Sequence, residues 1–391
     1  MKRKMKKEWI IYISIAIVTV LLNVIAWNST AFCDAYIAYI FPIWVNTYGR
    51  LTGLFSFSVG EWFLVAAVVL VVAAVLLGII WIGTQIFKNG SRLRAWIKGY
   101  YHFFVWAVLI VCVIMTLNCT ILYHASTFSQ KYFGEDTREY TIEDVIHVYN
   151  YVATQCNTLS AVVQRDENGT IVYTGVNAAG EAVDMEDKAI EAMQQLGKTY
   201  SQLDGYYPRP KAMMFSDFMC QQYMCGYYFP FSMEANYNDV MYIMSKPATM
   251  CHELAHLRGY IYEDEANFIG YLACVESDDV TFQYAGYLSV LNYLLNDLYK
   301  ASRTEPELYQ AAVSKVEPVG VYRIVIEDNV FVTDEEWDRI NGKALLDTET
   351  VDEVSDVLTD TTLKLNGVSD GMVSYSRVVK LLLQYYYNEA E

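Results

Sequence analysis

Residues 246–268 read KPATMCHELAHLRGYIYEDEANF, and this stretch decides how the middle of the C-terminal part folds. Pro247 suits the first turn of an α-helix, where a missing N–H has no partner to lose. Gly259 suits the C-terminal stop of the same helix. A second helix can begin at about Glu263, because acidic residues in a first turn favour the positive end of the helix dipole. The stretch therefore predicts two short helices joined by a turn.

The first of these helices carries two histidines four residues apart. His252 and His256 therefore project from one side of it. Glu253 lies about 100° around the helix from His252, close enough to take a proton from water without competing for a metal. This is the chemistry of HExxH, in which two neutral imidazoles hold Zn²⁺ beside a carboxylate base. The alternative is a pair of histidines that satisfies polar groups near a helix end.

The motif is specific in this chain, which has only five His among 391 residues. Chance placement of HExxH in such a composition is on the order of a few in a thousand. The sequence therefore predicts a zinc site with His252 and His256 as ligands and Glu253 as the catalytic base.

A catalytic zinc site needs a third protein ligand, and a carboxylate is the natural candidate. Glu263 and Asn267 are four residues apart and share a helix face, so Glu263 can bind the metal while Asn267 braces a histidine. Glu265 is the alternative metal ligand, but it faces about 200° away from Glu263 on a helix. The other interpretation of these acids is a first helical turn stabilised by the dipole.

The HELAH sequence at 252–256, together with Glu263-x-x-Ala-Asn267, resembles the gluzincin type of zincin metallopeptidases. In that group HExxH is completed by a Glu in an ExxxD or ExxAD motif on a following helix, and this resemblance favours Glu263 over Glu265. Two features depart from the pattern. Asn267 stands where Asp is usual, and the seven-residue gap from His256 to Glu263 is nearer to the short metzincin HExxHxxG turn.

The whole chain also resembles a family of uncharacterised bacterial membrane proteins of the domain-of-unknown-function kind. The resemblance rests on three N-terminal apolar stretches and on the motifs YFPF at 228–231, EAN at 234–236, HELAH, EDEANF and SYSR at 374–377. It covers most of the chain and implies no substrate.

Three apolar stretches are long enough to cross a bilayer, which needs about 20 residues. They run from about 9–27, 62–87 and 100–123, with Trp or Tyr near their ends as interface anchors. A cleaved signal peptide is the alternative for the first, although its apolar run is longer than an h-region of about 7–15 residues. The sequence predicts a membrane region over 1–124, in which 31–60 is an external loop with interfacial helices.

Charge gives the orientation. Five Lys or Arg precede the first span and four lie between the second and third, but only Arg50 lies between the first and second. The positive-inside rule therefore predicts a multi-pass cell-membrane protein with a cytoplasmic N-terminus. Residues 1–124 hold ten Lys or Arg and three Asp or Glu, whereas the whole chain has a net charge of −17. We expect the lipid bilayer as a partner and no nucleic acid, since phosphate is repelled.

Residues 125–391 are predicted to form an extracytoplasmic, mainly helical α+β domain that is zincin-like. Helical periodicity marks 142–156, 186–200, 351–365 and 372–387, and strands are predicted at 170–174, 211–215, 227–231 and 240–244.

The segment Tyr227–Asn238 is predicted to form a strand edge over the cleft, where a peptide substrate can add as a further strand. The substrate-edge candidates are Glu234, Ala235 and Asn236, although this aromatic segment fits a plain core equally well. An oxyanion stabiliser should face the metal. Tyr287 and Tyr375 are the candidates among 33 tyrosines.

The sequence thus predicts a membrane-anchored zinc metallopeptidase that hydrolyses peptide bonds of a cell-envelope or membrane protein. The alternative is a non-catalytic membrane sensor or scaffold whose zinc site is structural or vestigial. A closed structural site would need a fourth protein ligand, and Cys251, Asp264 or Glu265 are the residues near enough in sequence to supply one. Cys220 and Cys225 are close enough along the chain to pair, but their spacing does not require a disulfide.

Overall fold

The computed structural model describes residues 7–86, 91–134, 138–176, 179–344, 347–365 and 376–388. Most of this chain is helical. The helices of ten or more residues are Lys7–Asn28, Thr30–Tyr39, Val59–Ile86, Ser91–Met115, Ile142–Ser160, Met185–Leu196, Lys246–His256, Glu263–Val275, Val280–Thr304, Pro306–Lys315, Asp334–Lys343, Thr348–Leu365 and Ser376–Asn388. Shorter α-helices lie at Phe41–Trp44, Arg50–Thr52, Ile121–Tyr123, Phe128–Tyr132, Ser216–Cys220 and Arg323–Asp328.

Three helices near the N-terminus are long and apolar enough to cross a membrane, as predicted. They are Lys7–Asn28, Val59–Gln85 and Arg92–Tyr123, referred to below as the first, second and third apolar helices. The third begins earlier than the predicted residue 100 and continues through a π-helical turn at Thr116–Thr120. The most apolar window of the second helix has no buried residue, so its side chains need an apolar solvent.

The segment between the first two apolar helices is itself helical and packs on the C-terminal part of the chain. Thr30–Tyr39 is its longest helix, capped by the Ser29 hydroxyl. The Asp34 carboxylate accepts hydrogen bonds from the Ser126 backbone N–H at 2.9 Å and from the Ser126 hydroxyl at 2.6 Å, and pairs with Lys131 at 3.2 Å. The predicted helices of this segment are therefore present.

The sheet is small and has three strands, which we number β1 (Lys211–Ala212), β2 (Gly226–Phe229) and β3 (Glu234–Tyr237). Their order is β1-β3-β2, with β1 parallel and β2 antiparallel to β3. The predicted strand at 170–174 is wrong, because only an isolated bridge joins Ile171 to Arg165. The predicted strand at 240–244 is also wrong, since the chain there enters a 3₁₀ turn at Ile243–Ser245.

The core lies where the helix Lys246–His256, which we call the HELAH helix, packs between the sheet and the helix Glu263–Val275, which we call the EDEANF helix. Gly270 allows this close packing, since a Cβ there would lie 2.8 Å from the Ala248 carbonyl oxygen and 3.2 Å from the His252 backbone nitrogen. The contact buries apolar side chains of both helices, among them Leu254 and Phe268.

A buried ion pair joins the sheet to the second apolar helix. The Lys211 Nζ donates to the Glu234 carboxylate at 2.5 Å, and both side chains are buried. Glu234 also accepts from the backbone N–H groups of Val59 and Gly60 at the helix N-terminus, at 3.2 and 2.8 Å. Glu61 accepts in turn from the Met214 and Phe215 backbone N–H groups, each at 2.9 Å. These bonds fix the second apolar helix to the sheet.

Replacing Lys211 by Met should leave Glu234 as an unpaired buried charge, at a cost of about 3–5 kcal/mol. We expect the unfolding midpoint of the detergent-solubilised protein to fall by at least about 6 °C. Arg323→Met is the control, because its ion pair with Glu327 is exposed and contributes less than about 1 kcal/mol. Equal midpoints for the two variants would contradict the structural role of the Lys211–Glu234 pair.

Candidate metal centre

The backbone of the 246–268 stretch folds as its sequence predicts. Pro247 lies in the first turn of the HELAH helix, which ends at His256. Gly259 follows with φ of +88°, a conformation that a side chain would strain. The EDEANF helix then begins at Glu263 with three acidic residues in its first turn.

Three side chains from the two helices converge on one point. The Nε2 atoms of His252 and His256 are 3.1 Å apart, and Glu263 places its Oε2 atom 3.1 Å from the His252 Nε2 atom. Its Oε1 atom lies 3.8 Å from the His256 Nε2 atom. Ligand atoms of a tetrahedral zinc ion are about 3.3 Å apart, so three donors at this spacing match three of its four positions.

The outer nitrogen of each imidazole is held by an acceptor. The His252 Nδ1 atom lies 2.9 Å from the Asn267 Oδ1 atom, and the His256 Nδ1 atom lies 2.7 Å from the Tyr260 carbonyl oxygen. The Asn267 amide nitrogen in turn donates to the Tyr293 hydroxyl at 3.2 Å. Both Nδ1 atoms must therefore carry the proton, and both Nε2 lone pairs face Glu263.

This arrangement calls for a cation. Two lone pairs and a carboxylate face one another, and only a shared positive charge relieves their repulsion. Burial opposes a charged His252, but the Glu263 carboxylate outweighs it and raises the pKa of His252 to about 9. Burial and the neighbouring His252 lower the pKa of His256 to about 4. The crowding of the cleft opposes an ionised Glu263 although about half of its side chain is exposed, but the two imidazoles outweigh this effect and lower its pKa to about 2.

A proton or a metal ion can supply this positive charge, and metal binding would release the proton. The donor set of two imidazoles and one carboxylate is a set that Zn²⁺ accepts. These residues therefore fit a zinc ion.

The three candidates for a fourth ligand point elsewhere. Glu265 accepts a hydrogen bond from the Phe128 backbone N–H at 2.5 Å and so serves the start of another helix. Its candidacy as the alternative metal ligand is thereby contradicted, because it lies on another face from Glu263. The Cys251 thiol is buried 4.0 Å from the Cys274 sulfur, and Asp264 lies near Arg377. Among the described residues, His252, His256 and Glu263 form the only group of three or more His, Cys, Asp or Glu side chains that could hold a metal ion. We call these three residues the metal-ligand group.

Glu253 lies beside the group but outside it. Its Oε1 atom is 3.9 Å from the His252 Nε2 atom, and its buried Oε2 atom has no hydrogen-bond partner among the described residues. Burial raises the pKa of Glu253 to about 8. A carboxyl group with such a pKa can both accept and release a proton near neutral pH.

The four residues lie in a cleft of about 1020 Å³. One wall is the strand β2 with the residues just before it, and another is the end of the third apolar helix. Residues of the EDEANF helix, of the helix Val280–Thr304 and of the helix Thr348–Leu365 also line the cleft.

The substrate-edge candidates Glu234, Ala235 and Asn236 are wrong. They form β3, the central strand, which pairs with β2 along its whole length and with β1 at Asn236 and Tyr237. All three side chains are buried. The edge that lines the cleft is β2, the other arm of the same hairpin. The prediction placed the edge in the correct hairpin but on the wrong arm, because strand order is not readable from one sequence.

The oxyanion candidate Tyr287 is also wrong, since it does not line the cleft and its hydroxyl lies 3.2 Å from that of the partly exposed Tyr151. Tyr375 lies outside the described residues. The tyrosines that line the cleft are Tyr123, Tyr223, Tyr227, Tyr228 and Tyr293. The sequence did not single out Tyr293, which holds Asn267, because its only signal is its place on a long helix.

The cysteines Cys220 and Cys225, which the sequence left open, both carry free thiols. They therefore add no covalent constraint to the strand beside the cleft.

Residues 36–383 match the family described as Protein of unknown function (DUF3810). The chain therefore belongs to this family, which confirms the predicted membership of a domain-of-unknown-function group. No curated protein and no solved structure matches the chain. The match does not connect the chain with the gluzincins, so zinc and peptide hydrolysis are proposed below on the geometry of the site.

The full-length protein is expected to hold about one zinc ion per chain. His256→Ala and Glu263→Ala should each lower this content to below about 0.1, because two donors cannot retain the ion. Glu265→Gln is the matched control and should keep the metal, since its oxygen still accepts from Phe128. Elemental analysis of the purified proteins measures the content. Loss of zinc from Glu265→Gln with retention in Glu263→Ala would contradict the assigned ligand set.

Proposed function

We propose that this chain is a membrane-anchored, zinc-dependent metallopeptidase. The observation that carries the proposal is the convergence of three donor atoms beside a buried carboxyl group with no hydrogen-bond partner for one oxygen. A cleft bordered by the edge strand β2 surrounds them. The combination supplies a place for a metal, a base and an extended peptide.

The three apolar helices are proposed to span the cell membrane with the N-terminus in the cytoplasm. The basic residues flank the first and third helices on the same side, as the positive-inside rule requires. The sheet, the cleft and the helices that follow residue 125 then lie outside the cytoplasm.

A zinc ion held by His252, His256 and Glu263 would polarise a peptide carbonyl and make water acidic near neutral pH. Glu253 then accepts a proton from the attacking water, as the oxygen bonds to the carbonyl carbon. The same carboxyl group passes that proton to the amide nitrogen as the C–N bond breaks. Burial without a partner for the Glu253 Oε2 atom keeps its proton affinity high enough for both steps.

The strand β2 can align the substrate. The Asn238 backbone N–H donates to the Cys225 carbonyl at 2.8 Å. Alternation along an antiparallel pair then directs the polar backbone groups of Tyr227 and Phe229 towards β3, and those of Gly226 and Tyr228 away from it. Both outward residues line the cleft. The Tyr228 backbone N–H is hydrogen-bonded to the Glu253 carboxylate, so the outward backbone groups of Gly226 are the ones that an extended peptide can engage through main-chain hydrogen bonds.

The rival function, a sensor or scaffold with a structural zinc, is less well supported. A structural zinc site has four protein ligands. The described residues would supply three, and these three line the cleft together with Glu253.

Glu253→Gln should retain the metal and lower peptide hydrolysis by about 10²–10⁴-fold, because the amide cannot accept the proton. The measurement is the number of cleavages in a proteome-derived peptide library, read by mass spectrometry, alongside zinc content. Glu265→Gln is the matched control, since burial also raises the pKa of Glu265 to about 8 although it lies outside the cleft. Cleavage by Glu253→Gln at the parental level would overturn the mechanism.

Gly226→Ala probes the contact between the strand edge and the base. A Cβ at Gly226 would lie 2.4 Å from the Glu253 Oε1 atom and 2.9 Å from the Asn236 carbonyl oxygen. We expect hydrolysis to fall roughly 100-fold with zinc retained, because a shift of about 1 Å displaces the base. Gly342→Ala is the control, since nothing lies within 4 Å of a Cβ there. Full turnover by Gly226→Ala would contradict the placement of Glu253.

A further inference from the structure

We infer that the substrate is a polypeptide anchored in the same membrane, cut within about ten residues of the outer end of its spanning segment. This inference rests on the proposed peptidase function and adds the class of substrate. The observations that carry it concern where the cleft lies relative to the apolar helices.

The third apolar helix forms part of the cleft itself. Met115, Cys119 and Tyr123 are spaced four residues apart, so they share one face of the helix, and all three line the cleft. The same cleft contains the metal-ligand group. A membrane-spanning element is thus a wall of the site.

With the apolar helices spanning the membrane as proposed, the ends of the first and third helices place the metal-ligand group close to the extracytoplasmic surface of the membrane. Trp27, at the end of the first apolar helix, is 56% exposed, as expected for an interface anchor. Its ring lies 4.4 Å from that of His124, at the end of the third apolar helix. The carbonyl oxygen of the neighbouring Tyr123 accepts a hydrogen bond from the Tyr262 hydroxyl at 2.7 Å. Tyr262 directly precedes Glu263 in the chain. Only a few side chains therefore separate Glu263 from the interface.

The cleft extends below this level. Met115 precedes Tyr123 by eight residues, which is about 12 Å along a helix. Met115 therefore places part of the lining of the cleft at the depth of the extracytoplasmic leaflet. Phe231, which follows β2, also lines the cleft, and its ring contacts Phe229, which in turn contacts Phe63 of the second apolar helix.

The lining of the cleft also includes polar residues. Asp352, Ser355 and Asp356 of the helix Thr348–Leu365 belong to it. The cleft thus combines residues of an apolar helix, the metal-ligand group and acidic residues from later in the chain. A chain that leaves a membrane likewise combines an apolar and a polar segment.

Hydrogen bonds fix the position of the cleft relative to the apolar helices. The Asn118 amide donates to the Pro230 carbonyl at 2.8 Å, which fixes the hairpin to the third apolar helix. The Glu234 and Glu61 bonds fix the sheet to the second apolar helix. A soluble protein would have to reach a site held at the surface, whereas an anchored segment is delivered there at high effective concentration.

The position of the cut follows from chain geometry. An extended residue spans about 3.3 Å, so ten residues reach about 33 Å. A site within a few side chains of the interface is reached by fewer residues than this.

The test uses the full-length protein in liposomes, incubated with detergent-solubilised total membrane proteins co-reconstituted into the same vesicles and with soluble proteins in the medium. New N-termini made by the parent chain and not by Glu253→Gln are identified by mass spectrometry. We expect most of them within ten residues of a spanning segment. Cuts spread through soluble proteins would overturn the inference and leave the peptidase function intact. No cut by the parent chain would overturn both.

A matched pair of variants tests the membrane end of the cleft. Met115→Trp should lower cleavage of an anchored peptide, taken from the sites found, by at least about tenfold, because the indole fills the entry. Val111→Trp is the control, since Val111 is exposed on the same helix and lies outside the cleft. The same peptide without its spanning segment should be cut at least about tenfold more slowly by the parent chain. Equal rates for the two peptides would overturn the inference.

Discussion

The close packing of the HELAH helix against the EDEANF helix is the constraint on which the site depends. Gly270 allows the second helix to approach the backbone of the first at His252. This approach carries Glu263 to the two imidazoles and Asn267 to the outer nitrogen of His252. A larger residue at position 270 would push the two helices apart and so move Glu263 away from His252 and His256.

The EDEANF helix carries two carboxylates, Glu263 and Glu265, on different faces. Glu263 is about half exposed and faces the cleft, whereas Glu265 is buried and bonds the start of the helix Phe128–Tyr132. Two neighbouring carboxylates therefore have different surroundings, one in the cleft and the other in the core. Glu253 and Glu265 both have a pKa raised by burial, but only Glu253 borders the cleft. Location, and not the shift in pKa, distinguishes the candidate base.

The apolar helices and the rest of the chain are one structure because buried polar bonds join them. Lys211 and Glu234 secure the second apolar helix, Asn118 secures the third, and Asp34 secures the segment after the first. These bonds hold a cleft in a fixed position beside helices that need lipid. The arrangement accounts for polar residues such as Glu61 and Asn118 at the ends of otherwise apolar helices.

The sequence by itself determined the three apolar helices, the helix–turn–helix at 246–268 and the spacing of its donors, since periodicity and turn residues are local properties. It did not determine which arm of the 226–237 hairpin is the edge, because strand order depends on contacts between distant segments. Glu234 reads as a substrate contact in sequence and proves to be half of a buried ion pair. Only the tertiary structure brought the third apolar helix to the cleft, since that contact joins residues more than a hundred positions apart.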